Sequence, residues 1–307
     1  MPTASQELIA GLLRRRLIGR HDAPFALSTI GGVEQADEGP VSVYRVFLQP
    51  LESHPYITTA QQRKASIQGG VKTWGAAGFC PLVRMHDGTT YLAALYRDAG
   101  APSYPDHYTT PSGLSHLVGG RAEPVELTGQ REAKEELLFL DGRSPGGVIY
   151  DQDRKMYVAK LQELAVPQRV IKDGRTRVEV YRGGSLIDTA YPFSIGWGEA
   201  RDTVTTLVDL SVFFPDDTVP VKHLQAINGE IVERRLLSRE VALLRLEPLL
   251  DGSAVPIIRY ATDPERDMVF RTELELPAGE IKMTHPLQGA VEKIRSAAPA
   301  SREEWFA

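Results

Sequence analysis

The run Arg131-Glu132-Ala133-Lys134-Glu135-Glu136-Leu137-Leu138-Phe139-Leu140 constrains this chain more than any other. Eleven residues before Arg131 stands the second member of a glycine pair, Gly119-Gly120. On a helix, Glu132, Glu135 and Glu136 fall at i, i+3 and i+4, so they project to one side. Like charges at that spacing repel and weaken an isolated helix. A chain that keeps them together calls for a cation, and hard carboxylate oxygens suit Mg²⁺ or Mn²⁺. Two glycines ahead of the helix let the backbone approach a ligand closely. The plainer alternative is a solvated helix face on which Arg131 and Lys134 balance the charge.

The rest of the chain narrows the function classes. Its 307 residues make one large domain or two small ones. With 42% apolar and 24% charged residues it reads as an ordinary globular chain. A net charge of −5 argues against a nucleic-acid surface, and no helix-turn-helix pattern is legible. No apolar run approaches the roughly 20 residues that span a bilayer. The N-terminus alternates apolar and charged residues, unlike a signal peptide. Cys80 is the single cysteine. Flanked by Phe79, Pro81, Leu82 and Val83, it is expected as a packed thiol in a buried strand. A chain without disulfides is compatible with a reducing cytoplasm, the expected location.

Apolar periodicity sets the expected elements. Residues 5–19 have helical spacing, and residues 25–30 and 41–48 read as strands. Residues 1–70 are expected to be an N-terminal extension ahead of a main domain of residues 71–307. In that domain, residues 77–85 and 90–96 read as a hairpin across His86-Asp87-Gly88. A polar loop follows at 98–112, and Leu117-Val118 ends a short strand at the glycine pair. The acidic helix is expected to end at Asp141-Gly142. Strands are expected at 148–150, 156–161, 177–181 and 203–214, and helices at 238–244 and 286–296. This mixture gives an α/β sandwich.

At this point the sequence resembles the Nudix hydrolase family. The family pattern is G, five residues, E, seven residues, then R-E-U-x-E-E-x-G-U, with U a bulky aliphatic residue. Gly120 is followed after five residues by Glu126, and Arg131 to Glu136 match R-E-U-x-E-E. Leu138 stands in the place of the later glycine. Four residues separate Glu126 from Arg131 in place of seven. The seven-residue spacing selects Glu123, but it puts Leu117 at the glycine. The reading adopted keeps the Gly-Gly turn and Glu126, with a three-residue deletion in the loop and first helical turn.

Flanking runs look like the ADP-ribose and nucleotide-sugar pyrophosphatase branch. Leu95-Tyr96-Arg97 sits where that branch has an arginine-ended strand. Tyr191-Pro192-Phe193-Ser194-Ile195-Gly196, followed by Glu199, is similar to its Y-P-x-S-P-G loop. Asn228-Gly229-Glu230-Ile231 resembles its acidic catalytic loop.

The resemblance implies an α/β/α Nudix-like sandwich and a role for each matching residue. Glu132 and Glu136 would be the principal ligands of Mg²⁺ or Mn²⁺, with Glu135 and the Gly119 carbonyl assisting. Arg131 would pair with Glu126 to hold the Gly120 loop on the helix. Glu230 would be the general base or a further ligand. Arg97, Glu199 and Trp197 would contact substrate. The implied activity is metal-dependent hydrolysis of a diphosphate linkage in a nucleoside diphosphate derivative, by a homodimer acting on a small-molecule nucleotide. The alternative is a drifted Nudix-fold protein that binds nucleotide, regulates or serves biosynthesis. Neither reading involves nucleic acid or a membrane.

Overall fold

The computed structural model describes residues 28–50, 73–85, 87–101, 104–118, 121–141, 147–148, 155–158, 169–172, 174–197, 201–209, 218–222, 226–227, 230–231, 238–263, 268–297 and 302. The helix expected at 5–19 lies outside these residues.

Strands β1 (Ser28–Glu38) and β2 (Val41–Pro50) form a hairpin turned at Gly39, whose φ of 64° a glycine adopts without strain. A second hairpin joins β3 (Thr73–Arg84) and β4 (Thr90–Arg97), as the sequence predicts. Four short strands follow: β5 (Tyr108–Thr109), β6 (Ser112–Leu114), β7 (Leu117–Val118) and β8 (Arg121–Ala122). Helix α1 (Val125–Glu136) leads directly into β9 (Leu137–Asp141). Then come β10 (Gly147–Val148), β11 (Lys155–Val158), β12 (Arg169–Ile171), β13 (Thr176–Arg182) and β14 (Ser185–Ala190). They are followed by β15 (Ser194–Trp197), β16 (Arg201–Asp209), β17 (Thr218–Lys222), β18 (Ala226–Ile227) and β19 (Glu230–Ile231). The C-terminal part runs β20 (Ser238–Arg245), α2 (Leu246–Asp251), β21 (Ala254–Asp263), β22 (Met268–Pro277) and α3 (His285–Ser296).

Among the described residues one large sheet runs β10-β11-β22-β21-β20-β4-β3-β1-β2-β13-β14, with β16 on β3, and β12 and β15 on β16. It is mixed: β2 with β13 and β3 with β16 are parallel pairs, and the other pairs are antiparallel. Such a sheet with few helices agrees with an α/β fold. The hairpin of the expected N-terminal extension is part of it, since β1 pairs with β3 and β2 with β13.

Alternation on β3 divides the interior into two parts. Ala77 belongs with Trp74, Val46, Val178, Val180 and Val125 of α1. Cys80 and Leu82 belong with Phe193, Ala242, Leu244, Leu249 of α2, and Leu287, Ala290, Val291 and Ile294 of α3. Cys80 is 0% exposed, so the packed thiol is as expected.

Two expectations are corrected. Residues 238–244 form the central strand β20, not a helix. Val241 to Leu244 are all buried between β4 and β21, and a short run buried on both faces carries no period to separate strand from helix. The acidic helix stops at Glu136, not at Asp141-Gly142. Leu137 to Asp141 pair with β17, and Leu137 is already extended at φ −119°, ψ 131°. The short 3-10 turn Ala278–Glu280 closes β22.

Candidate functional site

The site is built on α1, which Gly129 brings against β3. A Cβ at Gly129 would stand 3.4 Å from the Gly78 carbonyl and 3.7 Å from Ala77 Cβ. The start of the helix is held from β14, where Asp188 Oδ2 accepts the Val125 N–H at 3.1 Å. That N–H is among the unsatisfied donors of a helix start, and an anion there also meets the positive end of the helix dipole.

Arg131 ties the preceding loop to the helix, but not through the expected residue. Its Nε donates to Glu123 Oε2 at 3.2 Å and its Nη2 to the Leu114 carbonyl at 2.6 Å. The same Glu123 oxygen accepts from Thr128 Oγ1 at 3.2 Å and from the His116 N–H at 3.4 Å, while Glu123 N donates back to His116 O at 2.7 Å. Glu126 points elsewhere. Its carboxylate takes Lys172 Nζ at 3.2 Å and the Tyr191 N–H at 3.1 Å. The Arg131–Glu126 pair is therefore corrected to Arg131–Glu123. Seven residues separate Glu123 from Arg131, and two separate Gly120 from Glu123. The strands flanking the glycine pair, β7 and β8, form a tight antiparallel ladder. Gly119 and Gly120 themselves lie outside the described residues.

Glu132 and Glu136 both turn towards β6. Glu136 Oε2 accepts the Ser112 N–H at 2.6 Å. Glu132 is 7% exposed and its carboxylate lies over Gly113, where any Cβ would overlap it. Arg131, 8% exposed, donates from Nη1 to Glu132 Oε1 at 2.5 Å. The i, i+4 spacing thus brings two carboxylates to one three-residue strand, and the glycine at its centre is the cradle for one of them. Carboxylate oxygens are hard donors of the kind a divalent cation takes, and one of these two carboxylates is already paired with Arg131. No group of three or more His, Cys, Asp or Glu stands within metal-holding distance among the described residues. The Glu135 side chain lies outside them.

Leu138, where the family pattern has glycine, is physically tolerable. The chain leaves α1 through an extended Leu137, and no non-glycine residue near that end has positive φ.

The other expected residues are spread more widely. Arg97 is buried at the end of β4, and its N–H donates to the His107 carbonyl at 2.9 Å. Trp197 closes β15 opposite Asp202, and Glu230 opens β19 opposite Ile227. The side chains of both lie outside the described residues, as does Glu199 entirely. The run Tyr191 to Gly196 docks α3. Phe193 is fully buried, and Gly196 admits Pro286, whose nitrogen would lie 2.6 Å from a Cβ there.

Sequence reasoning weighs Glu123 but prefers Glu126, and it does not single out Ser112 and Gly113. The intact spacing to Arg131 was the available signal for Glu123. Nothing local marks Ser112 and Gly113, because their role arises from α1 packing across β6.

No family profile and no curated protein matches the chain. Among solved structures, the Nudix hydrolase RenU from M. smegmatis aligns over 59% of this chain and 78% of its own, at 13% identity and a TM-score of 0.27. That likeness is too low to fix a fold or an activity. Among the described residues, no helix is long and apolar enough to cross a membrane.

Proposed function

We propose that the chain is a Nudix-type pyrophosphohydrolase of α/β/α build. It would cleave a diphosphate linkage in a nucleoside diphosphate derivative of the ADP-ribose or nucleotide-sugar kind. The observation that supports this reading is the pairing of Glu132 and Glu136 over Ser112 and Gly113, on a helix whose leading loop is held by Glu123 and Arg131.

In this reading Glu132 and Glu136 hold Mg²⁺ or Mn²⁺, with Glu135 and the Gly119 carbonyl beside them. The cation supplies charge neutralisation on the diphosphate oxygens. Arg131 orients Glu132, and the Glu123 contact keeps the loop in place. Glu230 accepts the proton of the attacking water. Arg97, Trp197 and Glu199 bind the substrate. The protein acts in the cytoplasm as a homodimer. The products are a nucleoside monophosphate and a phosphorylated fragment.

Release of AMP from ADP-ribose in the presence of Mg²⁺ or Mn²⁺ tests the reading. Glu136→Gln keeps an acceptor for the Ser112 N–H but removes the charge, so it is expected to abolish turnover while leaving the fold intact. Full activity in that variant sinks the assignment.

A specific observation favours one alternative, a nucleotide-binding protein without turnover. Arg131 already neutralises Glu132 from within the chain. Calorimetric binding of ADP-ribose with no product in any divalent metal would select it.

A further inference from the structure

Gly113 stands at the centre of β6, and its backbone does not require glycine. Its φ lies outside the left-handed region, so an L side chain suits the strand conformation there. The obstacle is Glu132. A Cβ at Gly113 would overlap the Glu132 Cδ, Oε1 and Oε2 atoms.

That overlap falls within an ordered row of contacts. Along the chain from Ser112 to Ser115, the partners on α1 run backwards. Glu136 Oε2 accepts the Ser112 N–H at 2.6 Å, and Glu132 covers Gly113. Arg131 Nη2 donates to the Leu114 carbonyl at 2.6 Å, and Thr128 Oγ1 meets Ser115 Oγ at 2.9 Å. The lengths match. The eight helical steps from Thr128 to Glu136 rise about 12 Å at about 1.5 Å each. The three strand steps from Ser112 to Ser115 cover about 10 Å at about 3.3 Å each. β3 holds β6 from the other side, with Ala77 in register with Gly113. Ala77 also meets α1, where a Cβ at Gly129 would stand 3.7 Å from its Cβ. Contacts on both sides of Gly113 therefore set the distance between helix and strand.

Glu132 and Glu136 thus lie over neighbouring residues of one strand, whose Cα atoms are about 3.8 Å apart. Two oxygens on one divalent cation are separated by a similar distance, up to about 4–5 Å. We propose that Gly113 is a positioning residue for Glu132: it lets this carboxylate lie against the strand beside that of Glu136. The proposal rests on the reading of the two carboxylates as cation ligands. The atoms in the way at Gly113 are the end of a side chain and not backbone. A methyl there turns Glu132 aside and leaves the sheet intact. Glu136, held by the Ser112 N–H, stays where it is, so one ligand moves and the other does not.

The test measures Mn²⁺ binding to the full-length protein without substrate, from the EPR signal of the free ion. Gly113→Ala is expected to melt close to wild type and to raise the Mn²⁺ dissociation constant about 10–100-fold, as the loss of a residue that orients a ligand does. Glu132→Asp draws the carboxylate back from residue 113. In that background the same methyl is expected to change the constant by less than about threefold, because the two substitutions act on one contact. Equal effects in both backgrounds would mean a general loosening of β6 and overturn the proposal. So would an unchanged constant in Gly113→Ala, a variant that does not fold, or a wild type without saturable Mn²⁺ binding. Hydrolysis of ADP-ribose is measured alongside. Turnover with an unchanged constant in Gly113→Ala sinks the role of Gly113 and leaves the hydrolase reading standing. Mn²⁺ binding that weakens as expected, with no turnover in wild type, keeps the role of Gly113 and sinks the hydrolase reading.

Discussion

At the scale of single residues, the exchange of Glu126 for Glu123 as the partner of Arg131 has a measurable consequence. Glu123 and Arg131 side chains are 13% and 8% exposed, whereas Glu126 is 33% exposed and its cation, Lys172, 49%. Arg131 keeps Glu132 as a counter-charge, but Glu123→Ala removes the acceptor of the Arg131 Nε–H and the His116 N–H at a part-buried site, and is expected to cost about 1–3 kcal/mol. Glu126→Ala removes a surface pair and is expected to cost less than about 1 kcal/mol. Urea denaturation of the two variants decides the matter; equal losses would contradict the assignment. Cys80 gives a second prediction. Burial pushes its thiol up to about 12, well above the unfolded value of about 8.5. Its folded value is raised, so its contribution is complete below about pH 8.5 and is lost as pH rises towards about 12. The native protein is expected to resist alkylation at pH 8 and to react fully once unfolded. What sequence could tell about single residues was chemistry in register: Cys80 as a packed thiol, and the helical phase of Glu132 and Glu136. It offered two competing signals, the seven-residue spacing for Glu123 and the glycine pair for Glu126, and only the contacts of the folded loop decide between them.

At the scale of elements, strongly patterned segments were legible and evenly buried ones were not. The β3–β4 hairpin and α3 follow from alternation and from apolar positions at Leu287, Ala290, Val291 and Ile294. β20 was misread because Val-Ala-Leu-Leu is apolar on every side, and only its place between β4 and β21 makes it a strand. The end of α1 was misread for a related reason: Leu137 to Leu140 continue a helix-compatible composition, and the competing ladder to β17 is remote in sequence. The two seams between helix and sheet predict opposite responses to the same substitution. Gly129→Ala places its methyl at ordinary contact distance, 3.4 Å from Gly78 O, and improves helix propensity. It is expected to be neutral or stabilising by up to about 1 kcal/mol. Gly196→Ala drives its methyl into the Pro286 backbone and displaces the start of α3. That overpacking is expected to cost about 1–3 kcal/mol. Thermal denaturation of the pair checks both signs.

At the scale of the whole molecule, the sheet joins segments that the sequence separates. A composition-based boundary near residue 70 follows from the prolines and glycines between residues 50 and 70. Such a boundary is silent about long-range pairing. β2 lies between β1 and β13, and its Val43, Val46 and Leu48 are buried. Val46 and Leu48 pack in the same cluster as Val125 at the start of α1. A chain beginning at residue 71 would expose that cluster and leave the β13 edge and part of β3 unpaired. Bare edges of this kind promote pairing between chains. Burying a Val or Leu side chain stabilises by about 1.5–3 kcal/mol, so losing three of them approaches half the stability of a typical domain. The fragment 71–307 is therefore expected to aggregate or to unfold without a cooperative transition, whereas the full chain melts in one step. A fragment that is monomeric by light scattering and melts sharply would show that the hairpin is an appendage and that α1, with Glu132 and Glu136, is positioned without it.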